Sequence, residues 1–501
     1  MPGLLLGRLS QTILEGVSQA PITVMSSATF RSVGPLGEPA TVEFLRILRR
    51  EFAQSLAPEL VTDRSKVLLN MSLSLLDYLI LREGGLDALT ARRQDSVRHA
   101  LEALGYSGTP AGEASLQLLE EQLSRKIEAA ERTAEERSRT YDILHRLMQE
   151  ERSYLDALSS PAPQAQGVQP VSSDTFAERL GCYLQSKRPD GLAVNVKSVG
   201  NPQGGYSKDV FVVELDGPGR LADRVVIRCD RPLGPLESSV SSEYAVLKAA
   251  AAADVPVAKP LLLEPDPSVL GAPFLVLEFV EGKPSGDFMR NVSGQDPRTI
   301  FRQLAQVLAR IHAIDPATAD IPRSELERPL HEHIRNLLDR FEEQWRRRRS
   351  EPSPVLAAAL AWMRANMPVG GGQPVIVHAD PTTRNLLLAG GKISALLDWE
   401  TWHVGDPAED LAYCKDEIAG QMDWQEFRET YTAAGGRDVA EERVQYWMMW
   451  KYLFGSISST SMMQGIGVDP GTDLRTAFGA VYFTSYCVGR VADLLSKTSK
   501  T

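Results

Sequence analysis

The first 158 residues carry apolar positions at helical spacing almost throughout. Residues 41–56 place Phe44, Leu45, Leu48 and Phe52 on one face, and residues 65–82 repeat the pattern with Leu68, Leu69, Leu73, Leu76 and Ile80. A third helix is predicted over 87–104, after the turn at Gly84-Gly85. A fourth runs from about 113 to 158, with Leu116, Leu123, Ala130, Leu144 and Leu158 on one heptad row and Ile127, Ala134, Tyr141, Met148 and Leu155 on another. Arg137 and Glu151 interrupt the first row. Either this helix packs on its three predecessors, or it is a coiled-coil arm whose two charges find partners on a second copy. The second reading leads to an expected homodimer.

Residues 159–172, SSPAPQAQGVQPVS, hold no charge and read as a linker. Beyond them the pattern changes to short Val- and Ile-rich runs at 194–199, 209–215 and 224–229, a helix over 239–253 and a further strand over 274–280. That is an antiparallel sheet with one helix inserted. From 297 onward helices dominate, broken by short strands near 375–377, 386–388 and 393–397. The expected class is α+β. A helical accessory domain (1–158) and the linker precede a sheet-containing lobe (173–282) and a mostly helical lobe (283–501).

Charge narrows the class of partner. Lys+Arg number 54 and Asp+Glu 65, a net charge of −11, which argues against a duplex-binding protein that must displace counterions. Cys182, Cys229, Cys414 and Cys487 lie far apart with no CxxC pair, so neither a zinc site nor a disulfide framework is expected. No apolar run approaches the roughly 18–20 residues that span a bilayer. Arg8 follows the N-terminal apolar stretch instead of preceding it, the reverse of a signal peptide. A cytoplasmic protein with no nucleic-acid or membrane partner is expected.

The densest polar signal is 376–400, IVHADPTTRNLLLAGGKISALLDWE. Asp380, Asn385 and Asp398 offer oxygen ligands around two short strands, with His378 the one histidine nearby. Such a donor set suits Mg²⁺, which prefers carboxylate, carbonyl and phosphate oxygen. Residues 200–207, GNPQGGYS, place Gly204, Gly205 and Ser207 in a turn between strands, where backbone N–H groups could cradle phosphates; a plain hairpin turn has the same composition.

The spacing His378-x-Asp380-x4-Asn385, followed by Asp398-Trp399-Glu400, resembles the catalytic and metal loops of the aminoglycoside phosphotransferase and choline kinase superfamily. Two further segments, Gly405-Asp406-Pro407-Ala408-Glu409-Asp410-Leu411-Ala412 and Leu308-Ala309-Arg310-Ile311-His312-Ala313-Ile314-Asp315, resemble that superfamily too, and the likeness covers about 175–495. It implies a protein-kinase-like two-lobed fold, ATP as phosphoryl donor and Mg²⁺ held by Asn385 and Asp398. It implies that Asp380 is the catalytic base, that Arg228 grips the phosphates and pairs with Glu243, and that backbone atoms at Glu278 and Val280 meet the adenine. Without the template, Arg228 and Glu243 would read as a surface ion pair worth about 0–1 kcal/mol. Arg228, the segment Val269–Phe274 and the extra helical domain look most similar to the acyl-CoA-dehydrogenase-associated subgroup, which implies a hydroxyacyl-CoA or hydroxylated carboxylic acid as acceptor.

The sequence departs from the superfamily pattern at two places. Ala379 stands where Gly is usual, one added methyl that is expected to be harmless. Pro381-Thr382-Thr383 replaces the aromatic-basic residues common after the catalytic Asp, leaving Thr382 as the side chain nearest a γ-phosphate. His312 and His378 read as buried, hydrogen-bonded braces, Asp406 as a helix cap and Asp410 as an anchor for the loop backbone. Arg346–Arg349 read as a solvated helix end favoured by the helix dipole, with a dock for an anionic substrate tail as the alternative. Trp447, Met448, Met449, Trp450, Met462 and Met463 are candidates to line an apolar acceptor pocket, against the plainer reading that they are core. The expected activity is transfer of the ATP γ-phosphate to a small-molecule hydroxyl. Its rival within the class is an aminoglycoside or amino-alcohol kinase, and its rival outside it is a nucleotide-binding pseudokinase scaffold.

Overall fold

A computed structural model of the chain describes residues 173–498 apart from 189–191, 201–206, 218, 232–237, 286–295, 349–352, 371 and 466–473; before residue 173 it describes mainly 94–104, 116–128 and 141–145. The linker at 159–172, most of the predicted helices at 41–56 and 65–82, and the charges Arg137 and Glu151 lie outside the described residues. Among the helices described before the sheet are α1 (Leu116–Glu128) and α2 (Ser173–Ser186).

Strands β1 (Asn195–Gly200), β2 (Lys208–Asp216), β3 (Arg224–Asp230), β4 (Pro260–Glu264) and β5 (Phe274–Glu278) form one sheet in the order β1-β2-β3-β5-β4. Every neighbouring pair is antiparallel. The alternation in β2 and β3 turns Phe211, Val213, Leu215, Val225 and Ile227 toward Leu180 and Leu184 of α2, closing one small core. Helix α3 (Val240–Ala252) connects β3 to β4 and packs on both β4 and β5. Strand β4 is the one element of the sheet that periodicity missed. Its first residue is Pro260, which cannot donate to a ladder and is tolerated because β4 sits at the sheet edge.

Residues 279–282 lead out of the sheet into β6 (Lys283–Pro284), which pairs with β8 (Leu386–Ala389); β8 in turn pairs with β9 (Lys392–Leu396). Gly282 suits this close crossing. A Cβ there would lie 2.7 Å from Ser394 Oγ and 3.0 Å from the Leu387 Cβ. The second lobe is built from α4 (Pro297–His312), α5 (Leu330–Arg348), α6 (Pro354–Ala365), α7 (Pro407–Ile418), α8 (Trp424–Ala433), α9 (Glu441–Gly465) and α10 (Leu474–Thr498), with β7 (Val375–Val377) paired to β10 (His403–Gly405). A sheet lobe with one inserted helix, joined by a short connector to a helical lobe, is the protein-kinase-like arrangement that the resemblance implied.

The N-terminal helices do not form a core of their own where they are described. Leu119, Leu123 and Ile127 of α1 recur at i, i+4 and i+8, are buried, and pack on α6. Helix α6 reads PVLAAALAWMRA and is buried continuously from Pro354 to Leu360. Apolar residues surround it because α1 covers one side while α9 and α10 cover another. Val97, Ala100 and Leu101 join the same cluster. The described part of the long helical stripe is thus satisfied within its own chain. His145 lies 3.8 Å from Asp493 of α10, a second link of the same kind.

The apolar candidates of α9 are core, not pocket lining. Trp447, Met448, Met449 and Trp450 are buried, and the two indoles donate to Asp406 Oδ2 and Glu409 Oε1, each at 2.9 Å. Met462 is half-buried, and the Met463 side chain lies outside the described residues. A helix wedged among α5, α6, α7 and α10 needs large side chains all round, which mimics the composition of a ligand pocket. Among the described residues no helix is long and apolar enough to cross a membrane.

Because Leu123 fills a core shared with α6, Leu123→Ala is expected to lower the stability of the helical lobe by about 2–4 kcal/mol. Urea unfolding of the full chain, followed through its tryptophans, checks this; a midpoint identical to wild type would show that α1 packs independently of the lobe.

Candidate active site

The site begins where β7 ends. Its three residues are buried, and the chain then turns sharply through His378-Ala379-Asp380. The turn is held from below by Asp410, in the first turn of α7, whose Oδ2 accepts from the His378 amide at 2.9 Å and whose Oδ1 accepts from the Ala379 amide at 2.7 Å. His312 Nε2 lies 3.0 Å from Asp410 Oδ2, and its Nδ1 lies 2.7 Å from the Tyr431 hydroxyl. Burial alone would favour the neutral acid at Asp410, but the bond from His312, its charge and the loop amides together hold the carboxyl below its ordinary range. His312 is the buried brace expected, and Asp410 is the loop anchor expected.

Ala379 adopts φ +64°, the left-handed region. The methyl that looked harmless in sequence is therefore a strained one, since a left-handed conformation costs an L-residue with a Cβ about 1–2 kcal/mol. His378 is fully buried, stacks edgewise on Trp399 at 4.8 Å, and its Nε2 lies 2.9 Å from the Leu397 carbonyl while its Nδ1 accepts from the Asp380 amide at 3.2 Å. Both ring nitrogens are engaged by backbone, so this ring braces the loop.

Asp380 and Asn385 are brought together. Asn385 Nδ2 donates to Asp380 Oδ2 and to the Asp380 carbonyl, both at 2.9 Å. Its amide oxygen forms no hydrogen bond among the described residues and is left to face a ligand. Arg384 Nη2 also reaches Asp380, at 3.1 Å from Oδ1 and 2.9 Å from Oδ2.

A second group forms across the lobes. Arg228 of β3 lies 3.0 Å from Glu243 of α3 and 3.0 Å from Asp398, with Glu400 at 4.0 Å. The pair is not a surface one: the Arg228 side chain is 13% exposed and that of Glu243 2%. Asp398 itself sits at φ +65°, turning its carboxylate out of the β9 line toward Arg228. Burial, and then the neighbouring Asp398 charge, push the Glu400 carboxyl up to about 8, and a bond from Ser207 opposes that rise. Burial likewise raises Glu243, against the pull of Arg228.

Of the remaining predicted residues, Ser207 is buried and joins this group through Glu400. Gly204 and Gly205 lie outside the described residues. Glu278 closes β5, its amide donating to the Lys259 carbonyl at 2.9 Å. Val280 follows in the connector, half-buried against the core of the helical lobe. Glu400, Arg384 and Lys208 were missed. Glu400 stands two residues beyond Asp398 and Arg384 four beyond Asp380, spacings that could have flagged both. Lys208 is buried at the start of β2, donating to Asp230 Oδ1 and the Ser238 carbonyl, each at 2.7 Å.

The donor set fits Mg²⁺. Asn385 offers an amide oxygen and Asp398 a second carboxylate oxygen with no hydrogen bond among the described residues, while no group of three or more His, Cys, Asp or Glu there could hold a metal alone. Two hard oxygen donors supplemented by phosphate and water are what this ion takes.

The chain is similar to several known proteins. Residues 199–447 match the phosphotransferase enzyme family (APH). The mouse acyl-CoA dehydrogenase family member 10 is 29% identical over 202 residues, 39% of this chain and 18% of that protein. The Arabidopsis thaliana probable acyl-CoA dehydrogenase IBR3 is 29% identical over 248 residues, 46% of this chain and 29% of that one. The chain thus spans less than a third of these curated relatives. Among solved structures, a putative aminoglycoside phosphotransferase from Ralstonia eutropha is similar over 64% of this chain and 98% of that one, at 21% identity and a TM-score of 0.49. The macrolide 2′-phosphotransferase MphH of Brachybacterium faecium is similar over 60% and 97%, at 19% identity and a TM-score of 0.42.

Replacing Ala379 by glycine should relieve the left-handed strain and raise stability by up to about 1 kcal/mol, after the entropy that glycine adds to the unfolded chain. A urea midpoint lower than wild type would show that the methyl is a packing contact the loop needs.

Proposed function

Starting from a chain whose residues 199–447 match the phosphotransferase enzyme family, we propose that it is an ATP- and Mg²⁺-dependent kinase acting on a small-molecule hydroxyl. The observation that carries this reading is the joint placement of Asp380, hydrogen-bonded to Asn385 at 2.9 Å, and of Asp398, paired with Arg228 at 3.0 Å. Phosphoryl transfer through a loose transition state asks the protein mainly for positioning and charge neutralisation. These four side chains are of the kinds that do so.

Asp380 orients the acceptor hydroxyl and accepts its proton. As the acceptor O–P bond forms, the bond between the γ-phosphorus and the bridging oxygen breaks, and its electron pair departs on ADP. Arg228, held by Glu243 from the sheet lobe, exchanges its contact with Asp398 for phosphate oxygen. Asn385 and Asp398 would hold Mg²⁺, which when bound neutralises phosphate charge. The Glu278 carbonyl and the Val280 amide meet the adenine edge.

The acceptor is a hydroxylated acyl-CoA or carboxylic acid. Similarity to part of several proteins named as acyl-CoA dehydrogenases supports this class, because phosphorylating a hydroxyl makes it a better leaving group for later steps on the same acyl chain. ADP release over a panel of hydroxylated acids, acyl-CoAs, amino alcohols and aminoglycosides tests it. Turnover confined to amino alcohols or aminoglycosides would overturn the acyl reading, and none with any acceptor would favour a scaffold.

Asp398→Asn should abolish Mg²⁺-dependent ATP turnover while the circular dichroism spectrum is retained, since an amide cannot neutralise the ion; near-normal turnover at ordinary Mg²⁺ would show the metal assignment wrong. Asp380→Ala should lower kcat by ~10²–10⁴ with little change in nucleotide affinity. A large loss of ATP binding in calorimetry, with single-turnover chemistry intact, would remove Asp380 from the role of base.

A further inference from the structure

We propose that Arg384 is the cation that receives the transferring phosphoryl group, in place of a basic side chain earlier in the loop; the proposal rests on the kinase reading above. The loop Pro381-Thr382-Thr383 carries no charge, and Thr382 cannot serve. Thr382 is 4% exposed, and its Oγ1 is buried without a hydrogen-bond partner, so it faces the protein interior and not a ligand. The short helical turn Thr383–Asn385 buries Thr383 and Asn385 and leaves the residue between them pointing out. That residue is Arg384, whose side chain is 43% exposed.

Position follows from the chemistry of the neighbouring base. An acceptor hydroxyl must lie roughly 2.6–3.2 Å from Asp380, and the phosphorus it attacks about 3–3.5 Å beyond. A guanidinium at 2.9 and 3.1 Å from the two Asp380 oxygens is therefore within a rotamer change of the phosphoryl oxygens. Its Nε and Nη1 form no hydrogen bond among the described residues, so donors remain for an oxyanion. Asp380 also accepts from Asn385, which leaves little room for a hydroxyl while Arg384 occupies both carboxylate oxygens. Arrival of the γ-phosphate offers the guanidinium a doubly charged partner and frees the base. Arginine's planar fork suits this exchange, because it bonds phosphate in two places at once. Arg384 forms no covalent bond and moves no proton: the hydroxyl proton still goes to Asp380 and the electron pair still leaves on ADP.

Calorimetry on full-length wild type, Arg384→Gln and Arg384→Lys, each titrated with Mg²⁺–ADP and with Mg²⁺–AMP-PNP, tests the proposal. Arg384→Gln is expected to bind ADP like wild type and AMP-PNP roughly 10- to 100-fold more weakly, the loss expected for one charged hydrogen-bonding group. Arg384→Lys should fall between the two, and it gives the same comparison should the glutamine variant not fold. Equal affinities for AMP-PNP in all three proteins, or a loss shared equally by ADP, would overturn the assignment and leave Arg384 a brace for Asp380 or a contact to the acceptor. Wild-type protein that binds neither nucleotide would instead remove the kinase reading, and the proposal with it.

Discussion

Asp410 is a fully buried carboxylate that must stay ionised, and most of the site is arranged around meeting that condition. An unpaired charge at this depth would cost several kcal/mol. The chain supplies two loop amides and one imidazole, and the imidazole is oriented in turn by Tyr431. Those same bonds fix the backbone of His378 and Ala379, and through them the direction in which Asp380 emerges. The catalytic loop is thus positioned from α4, α7 and α8 together, not by its own turn preference, and so it can tolerate a left-handed alanine. Orphaning the two amides would cost their full desolvation, about 1–3 kcal/mol each, which is more than the strain they overcome.

The second organising charge is Arg228. A guanidinium from the sheet lobe sits among Glu243, Asp398 and Glu400, helped by Lys208 beside Glu243 and Arg384 beside Asp398, yet the acids of the site outnumber its cations. The excess falls on Glu400, which burial and Asp398 drive toward its protonated form. A site with surplus negative charge is unfavourable for bare phosphate and favourable for phosphate accompanied by a divalent cation. The acidic balance that argued against nucleic acid in the sequence has its local counterpart here.

Much of this was legible in the residue order. The strands β1, β2, β3 and β5 followed from alternating or continuous apolar runs, and the Asp380, Asn385 and Asp398 spacing pointed to the loops that hold them. What escaped was mostly non-local or left-handed. Arg228 and Asp398 are 170 positions apart, and nothing in a single sequence says that they touch. Positive φ at Ala379 and Asp398 is invisible because neither is glycine. The Trp and Met run of α9 was ambiguous for a physical reason, since a helix enclosed on all sides and a helix lining an apolar pocket need the same side chains. The placement of α1 on α6 was hidden likewise: an amphipathic stripe declares that it is covered, but not by what.

The contact at Gly282 has a consequence for how the two lobes can move. A Cβ at Gly282 would meet Leu387 and Ser394, in the hairpin whose far strand leads into Asp398, so the connector runs close against that hairpin. A connector set this close to the hairpin ties the spacing between the two lobes to the position of Asp398, which a loose tether would leave independent. A methyl placed there would have to turn Ser394 aside and crowd Leu387, and so would press on the spacing between the lobes without touching Asp380, Asn385 or Asp398.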